Sequence, residues 1–351
     1  MGKWRLSALC ALLALLASAT AAEPARRCLS ECTPRIGIVS AFGAEADILL
    51  AQTQGKRVWT VQGKPFTTGT LRGNRVVVVL SGVSMINATL VTQQMLDHFR
   101  VERLIMSGIA GGVNPAHRVG DVTVPDRWAM PMEVYWNADA RIPAPCGSEA
   151  ANVGCLGLRL ASGADGKPLP SFSLPTNQGS SLPTGLFMRE NFVLNAANSP
   201  RGEFRFDYPV DPQMLAVARE LTPALQRCGP RAKAANGELD TALCVAETPR
   251  LIVGGRGVSG TAFLANPHYR AYLFEQLQAD TVDMETAALA HVALSNGVPY
   301  IAFRSVSDLA GATEFNADVG ALFASGLAES NEAAVTLAFL DAWRKRGARA
   351  R

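Results

Sequence analysis

Two carboxylates fall where a sheet could bring them to one crevice. A short apolar strand predicted over residues 280–284 leads to Glu285, and a second strand predicted over 300–305 leads to Asp308. In open α/β sheets, ligands bind in the crevice beyond the carboxyl ends of the strands. The helical run between the two strands is mostly apolar and is expected to pack on the sheet. Glu285 and Asp308 are therefore candidates for acid–base chemistry.

A third carboxylate follows the first predicted strand. The segment RIGIVSAF over 35–42 runs into a helix predicted over 44–53, and Glu45 lies at the turn between them. Acids in the first turn of a helix are favoured by about 0.3–1 kcal/mol, so helix electrostatics is an alternative explanation. Position alone leaves a structural and a functional role for Glu45 equally open.

Three further predicted strands lead into glycine turns, where a ligand can approach the backbone. The first turn contains Ser81 and Gly82, the second contains Ile109, and the third contains Phe263. Exposed N–H groups at such turns can bind a hydroxyl or an anion. The spacing of the first two matches neither the dinucleotide nor the phosphate-binding loop, and close packing explains either turn alone equally well. Phe263 could stack on a flat ring or lie in the core.

The N-terminus has the pattern of a signal peptide over residues 1–22. Two basic residues precede an apolar run over 6–16, and small residues over 18–22 form a cleavage pattern. The apolar run is short for a membrane span, although a retained anchor is the alternative. We expect a soluble, exported protein, periplasmic or secreted, with no membrane contact after cleavage. The basic tail, 344–351, is too short to indicate a nucleic-acid partner.

Six cysteines remain after removal of the predicted signal peptide. Their clustering favours the local pairs Cys28–Cys32, Cys146–Cys155 and Cys228–Cys244, although six cysteines allow fifteen connectivities. No CxxC motif occurs, and the four histidines are scattered without ligand spacing. We therefore predict disulfides and no metal.

Apolar strands alternate with helical patterns along the chain, which predicts a layered α/β sheet. The predicted strands are 35–42, 57–62, 75–81, 103–107, 121–124, 251–254, 280–284 and 300–305. The predicted helices are 44–53, 84–98, 211–226, 266–278, 285–296 and 328–344. We expect an N-terminal segment over 23–34, then one domain over 35–343 with an insertion over about 130–250.

Six blocks, in this order, resemble the nucleoside phosphorylase/nucleosidase superfamily, and most of all its methylthioadenosine/S-adenosylhomocysteine nucleosidases. They are GIVSAFGAEADILL, LSGVSMINATL, SGIAGGVNPAHRVGDVTVPD, SGTAFL, VDMETAALAHVA and FRSVSDLAG. The middle of the chain, with FRFDYPVDPQML and its cysteines, is more similar to exported relatives that include plant bark storage proteins. The resemblance implies a three-layer α/β/α sandwich with a mixed, twisted sheet, no cofactor and a purine nucleoside as small-molecule partner, and it allows a homodimer.

The resemblance also implies roles for individual residues. Glu45 matches the glutamate that activates water, Asp308 the acid that addresses purine N7, and Glu285 the carboxylate that holds the ribose hydroxyls. The expected substrate-binding residues, besides Glu285, are Phe42, Phe263, Leu264, Met284, Ser81, Gly82 and Ile109.

The resemblance distinguishes hydrolysis from phosphorolysis at the nucleophile. The phosphorylases of this superfamily carry arginines in the first strand–helix turn and just before a later glycine turn. Here the first turn, 43–47, has no arginine, and Met106 occupies the second position. A phosphate dianion would be poorly compensated without those cations, so we expect a hydrolase. A phosphorylase and a non-catalytic binding or storage protein remain the alternatives, and Ile109 departs from the small hydroxylated residue usual at its position.

Overall fold

A computed structural model describes residues 28–131, 133–134, 187–188, 191–195, 197–233, 236–311 and 325–349. The predicted signal peptide and the predicted Cys146–Cys155 pair lie outside the described residues.

The strands form one large mixed sheet and two small ones. They are β1 (Glu31–Ser40), β2 (Gln54–Val61), β3 (Lys64–Leu71), β4 (Asn74–Leu80), β5 (Phe99–Gly112), β6 (Val122–Val124), β7 (Arg127–Ala129), β8 (Glu133–Val134), β9 (Phe187–Met188), β10 (Asn191–Asn195), β11 (Ser199–Arg205), β12 (Asp207–Pro209), β13 (Leu251–Val253), β14 (Arg256–Ser259), β15 (Ala279–Asp283) and β16 (Tyr300–Asp308). The large sheet has 12 strands, with the path β12-β7-β14-β15-β5-β1-β4-β3-β2, and β16, β6 and β13 attached beside β5. Strands β10–β11 and β8–β9 each form a separate antiparallel pair.

The helices cover both faces of this sheet. They are α1 (Gly43–Gln52), α2 (Met85–His98), α3 (Pro212–Arg219), α4 (Pro267–Leu277), α5 (Thr286–Ser295) and α6 (Leu327–Arg349). Consecutive residues of β16 distinguish the two faces, since side chains alternate along a strand. Phe303 packs on Phe339 of α6 with ring centroids 5.0 Å apart, whereas Arg304 donates to Thr286 at the start of α5. The predicted three-layer α/β/α architecture with a mixed sheet is confirmed.

The parallel strands at the centre of the sheet explain the apolar runs in the sequence. Strands β4, β1, β5 and β16 run parallel to one another and are covered on both faces. Strands buried on both faces carry near-continuous apolar runs, and the four valines of β4, Val76–Val79, are all buried. The predicted strands over 35–42, 75–81 and 300–305 correspond to β1, β4 and β16.

Some predicted boundaries were wrong. The helix predicted over 211–226 ends at Arg219, and Pro223 follows shortly after, a residue that disfavours helical backbone just before it. The predicted strand over 103–107 is the middle of the longer β5. Strand β3 was missed because its sequence, KPFTTGTL, combines Pro and Gly with weak apolar alternation. Its antiparallel pairing with β2 and β4 stabilises it as a strand despite this weak pattern.

Two of the three predicted cysteine pairs lie within the described residues. Cys28–Cys32 and Cys228–Cys244 are both paired as disulfides, with Cα atoms 5.5 and 4.2 Å apart. The second pair falls within the predicted insertion, so that part of the fold prediction is confirmed. Among the described helices, none has both the length and the apolar character that crossing a bilayer requires.

Candidate active site

Strand ends and the turns that follow them enclose a cavity of about 180 Å³. Its lining includes seven of the predicted site residues: Phe42, Glu45, Ile109, Phe263, Leu264, Met284 and Glu285. They come from the turn after β1 and the first turn of α1, from the turns after β14 and β15, and from the end of β5. Segments far apart in the sequence therefore meet in one crevice.

Glu45 is held at the base of this cavity by backbone donors. Its side chain is buried, and one carboxylate oxygen, Oε2, accepts hydrogen bonds from the N–H groups of Ala41 (2.5 Å) and Phe42 (3.3 Å). The other, Oε1, accepts from the N–H of Ile109 at 2.9 Å. Burial raises the pKa of Glu45 to about 7, although the charge of Arg304 and these hydrogen bonds favour the ionised form.

Arg304, which the sequence analysis did not select, is the cation that joins the carboxylates of the site. Its guanidinium is completely buried and lies 3.6 Å from Glu45, 2.8 Å from Asp283 and 3.3 Å from Glu285. It also donates to the carbonyl of Ile109 at 3.2 Å. A lone arginine within the apolar strand YIAFRSVSD was the available signal, since a buried charge requires partners.

Asp283 fixes the turn that presents Glu285. Its carboxylate accepts hydrogen bonds from the hydroxyls of Ser259 and Thr286 and from the backbone N–H groups of Glu285 and Thr286. Glu285 itself accepts from the N–H of Ser84 at 2.7 Å. Burial raises the pKa of Glu285, and the Arg304 charge opposes that shift. Asp283 thus supports the turn that carries Glu285, and both residues line the cavity.

Asp308 lies behind the glycine turn at the end of β5. Its carboxylate accepts hydrogen bonds from Ser307 Oγ (2.9 Å) and from the N–H of Ala310 (2.8 Å). A Cβ added to Gly111, which lines the cavity, would lie 3.2 Å from Asp308 Oδ1, so the absence of a side chain gives this acid access. Burial raises the pKa of Asp308, which favours its protonated form.

Ser81 and Gly82 lie beside the site rather than in the lining of its cavity. The Ser81 hydroxyl is buried and donates to the carbonyl of Gly82 at 2.7 Å, and Gly82 has a φ of 87°. The residues after them, Val83 and Ser84, contact the cavity or Glu285 instead. Contacts made by backbone N–H groups do not depend on residue type, so the sequence does not predict them.

The aromatic walls differ in exposure. Phe263 is 67% exposed and Phe42 is half-buried, so both rings have a free surface at the cavity. An exposed phenylalanine at a cavity mouth is better placed for stacking than for core packing.

A larger cavity of about 460 Å³ lies between α2 and α5, next to the first. Its lining is mostly apolar, and His291 is the one titratable residue among the described residues that line it. The carboxylates line the smaller cavity or lie behind it, so we place the chemistry there. Within the described part of the chain, no cluster of His, Cys, Asp and Glu has the arrangement of a metal site.

The fold and the site define an α/β protein with a small-ligand cleft built from carboxylates at the strand ends. The chain belongs to the phosphorylase superfamily, whose family model matches residues 35–341. This confirms the predicted family, while the predicted relation to bark storage proteins stays a prediction.

Curated relatives and solved structures agree with this assignment. The chain is 24% identical, over 281 residues, to a 5'-methylthioadenosine/S-adenosylhomocysteine nucleosidase of Bacillus cytotoxicus, with 79% of this chain and 87% of that protein covered. The fold is similar to that of the same type of nucleosidase from S. pneumoniae, with a TM-score of 0.55, 21% identity, and 88% and 99% of the two chains covered. It is also similar to futalosine hydrolase of Helicobacter pylori, with a TM-score of 0.56, 18% identity, and 91% and 98% covered.

Proposed function

We propose that this protein is an exported purine nucleosidase that hydrolyses the N-glycosidic bond of a purine nucleoside. The substrate is either methylthioadenosine or S-adenosylhomocysteine-like, or a scavenged purine nucleoside. One observation carries the choice of hydrolysis. The cavity contains a glutamate that ionises near neutral pH, and its lining contains no lysine or arginine among the described residues.

Glu45 is the general base in this proposal. Cleavage of an N-glycosidic bond passes through an oxocarbenium-like sugar cation, as in glycoside hydrolysis. Water must be oriented beneath the anomeric carbon and lose a proton as it attacks, which requires an ionised carboxylate. With a pKa of about 7, Glu45 is near the value at which a base is both ionised and able to accept a proton.

Asp308 is the general acid. A purine leaves poorly as an anion, so a proton or a strong hydrogen bond must reach N7. The raised pKa of Asp308 favours the protonated carboxyl that this step needs. Asp308 thus acts as the acid and Glu45 as the base in this proposal. Burial of each side chain is the main cause of its raised pKa.

The remaining residues bind the two halves of the nucleoside. Glu285, when ionised, can accept hydrogen bonds from two vicinal sugar hydroxyls, and Met284 lies next to it in the lining. Phe263 and Phe42 supply apolar faces for the base, and the Leu264 backbone is the proposed contact to the purine edge.

The ion pairs of Arg304 support water rather than phosphate as the nucleophile. A phosphate dianion in a partly desolvated cavity needs a cation with free hydrogen-bond donors. Arg304 is buried and already pairs with three carboxylates, so its charge is compensated before any ligand binds. Water needs no such cation.

The relatives support the same assignment. The curated relative in Bacillus cytotoxicus is named a nucleosidase, and one of the similar structures is a futalosine hydrolase. Both names describe hydrolases rather than phosphorylases, which supports water as the acceptor.

The test is incubation of the protein with adenosine, inosine and methylthioadenosine, with and without phosphate, while free base is measured. We expect base release that does not depend on phosphate. Release only with phosphate would show a phosphorylase. No release from any of the three by the wild-type protein would favour a non-catalytic binding or storage protein.

Export is the second part of the proposal. It is supported by the signal-peptide pattern of residues 1–22 and by the paired cysteines of the described region. Expression of the full chain in a Gram-negative host should give periplasmic protein that begins at Glu23. Recovery from the cytosol with residues 1–22 attached would contradict export.

A further inference from the structure

We propose that Glu332, held as a neutral carboxylic acid on α6, is a positioning residue that fixes the end of β5 against Glu45. The inference rests on the proposed function only where it treats Glu45 as the general base. Glu332 is not among the residues that line the cavity, so it acts through β5.

Glu332 lies on the inner face of α6 and is completely buried. The Ser107 and Thr336 hydroxyls both bond to its Oε1, Thr336 at 2.6 Å. Its Oε2 has no hydrogen-bond partner among the described residues. A strand and a helix are thereby joined through one carboxyl group, directly behind the active-site cavity.

The surroundings of Glu332 favour its neutral form. Arg304, the nearest cation, forms its ion pairs with Glu45, Asp283 and Glu285 instead. An ionised carboxylate that is buried and lacks an ion pair is costly. The pKa of Glu332 is raised to about 8, mainly by burial and less by the charge of Glu45, against the two hydroxyls and the charge of Arg304.

The other elements around α6 bring few charges to this point. Strand β6 carries only Val, Thr and Val, and α3 carries its arginine, Arg219, at an exposed end. On β5, Arg103 stacks over the ring of Trp343 at 4.7 Å, and Asp47 of α1 is exposed. On α6 itself, Glu329 lies almost one turn earlier, and its charged neighbour is Arg231. The charges that shift the pKa of Glu332 are those of Glu45 and Arg304, and the net upward shift favours the protonated carboxyl.

The hydrogen bond between Ser107 and Glu332 fixes the part of β5 that carries the hydrogen-bond donor to Glu45. Ser107 directly precedes Gly108, and a Cβ on Gly108 would overlap both Glu45 Oε1 and Arg304 Nη1. The next residue, Ile109, donates its N–H to Glu45. A shift of the strand at Ser107 therefore moves a donor that holds the general base, and misplacement by 1 Å can cost about 10²-fold in rate.

The test compares Glu332→Gln with Glu332→Leu. Gln is neutral and keeps an acceptor for Ser107, so we expect kcat within about threefold of wild type, whereas Leu should lower kcat by about 10- to 100-fold with a smaller change in KM. Ser107→Ala removes the same hydrogen bond from the strand side and should act as Leu does, even if the Leu variant does not fold. Glu329→Leu, another buried carboxyl on α6, is the matched control and should keep wild-type kcat.

Infrared spectroscopy measures the protonation of Glu332 and Glu45 without substrate turnover. We expect a carboxylic acid C=O band at pH 7 in wild type that is lost in Glu332→Gln. The titration of Glu45 should move to higher pH in Glu332→Leu or Ser107→Ala, and should stay in place in Glu332→Gln. Both infrared measurements can be made even if the protein cleaves no nucleoside. A failure of the proposed function can therefore be told apart from a failure of this inference.

Three results would overturn the inference. The first is a Gln variant as impaired as the Leu variant, which would mean that the ionised form acts. The second is wild-type kcat in both Leu and Ser107→Ala, and the third is no carboxylic acid band lost in Glu332→Gln.

Discussion

Nη1 of Arg304 lies 3.6 Å from Oε1 of Glu45, and both side chains are closed to solvent. The same guanidinium also pairs with Asp283 and Glu285, so one positive charge holds carboxylates from α1, the end of β15 and the turn that follows it. The proposed general base and the proposed sugar-binding glutamate are therefore connected through a residue that does not line the cavity. The geometry of the site depends on a buried cation.

Replacement of Arg304 by Met should destabilise the protein strongly. Loss of one partner of a buried ionic cluster leaves uncompensated charges, and about 3–5 kcal/mol of the free energy of unfolding is expected to be lost. Urea denaturation measures this change. Arg72→Met is the control, because Arg72 forms an exposed pair with Asp341 at 3.8 Å and should cost less than about 1 kcal/mol. Equal effects of the two variants would contradict the central role of Arg304.

Asp308→Asn should lower base release by about 10²–10⁴-fold, the usual contribution of a general acid. The Asn side chain has nearly the same shape, so circular dichroism and the melting temperature should change little. Asp47→Asn, at an exposed position of α1, is the matched control and should keep wild-type activity. Full activity of Asp308→Asn would mean that another group addresses N7.

The pH dependence of kcat/KM should have an acidic limb from Glu45. The ionised carboxylate is the active form and its pKa is about 7, so activity should rise with pH through that value. Below it, activity should fall about tenfold per pH unit. Asp308, whose pKa burial also raises, acts in its protonated form, so its ionisation opposes this rise in activity. Glu45→Gln should lower the rate by about 10²–10⁴-fold and abolish the acidic limb.

Glu332 should make the protein less stable as pH rises. Its pKa is about 8 when folded against a usual value of 4.5, so the folded state binds the proton more tightly than the unfolded state. The resulting stabilisation is complete below 4.5 and is lost as pH rises towards 8, at about 1.4 kcal/mol per pH unit. The difference in unfolding free energy between wild type and Glu332→Gln, measured in urea across this range, isolates the contribution. A pH-independent difference would show that Glu332 has an ordinary pKa.

Gly108→Ala should impair catalysis because its Cβ would overlap Glu45 Oε1 and Arg304 Nη1. We expect kcat to fall by at least about tenfold as the base is displaced. Gly347→Ala is the control, since a Cβ there meets no atom within 4 Å. An active Gly108→Ala enzyme would show that Glu45 tolerates displacement.

The sequence predicted most of the central sheet and seven of the residues that line the cavity. Apolar runs such as Val76–Val79 indicate buried strands because both faces of a parallel sheet are covered. Strand β3 escaped prediction, since its stability comes from its pairing with two neighbours. Ser81 was chosen for its place in a glycine turn, yet the contact to Glu285 comes from the N–H of Ser84. Backbone donors are the same for all residue types except proline, so no residue identity marks them.

The sequence by itself determined the family, most strands of the large sheet and the candidate acids Glu45, Glu285 and Asp308, because residue type and strand-end position are local properties. The tertiary structure alone decided how those acids are held. Arg304 at the centre of three carboxylates and Glu332 behind Ser107 are relations across 259 and 225 positions, from Glu45 to Arg304 and from Ser107 to Glu332. Burial sets the charge state of these groups, and burial depends on which distant segments pack together.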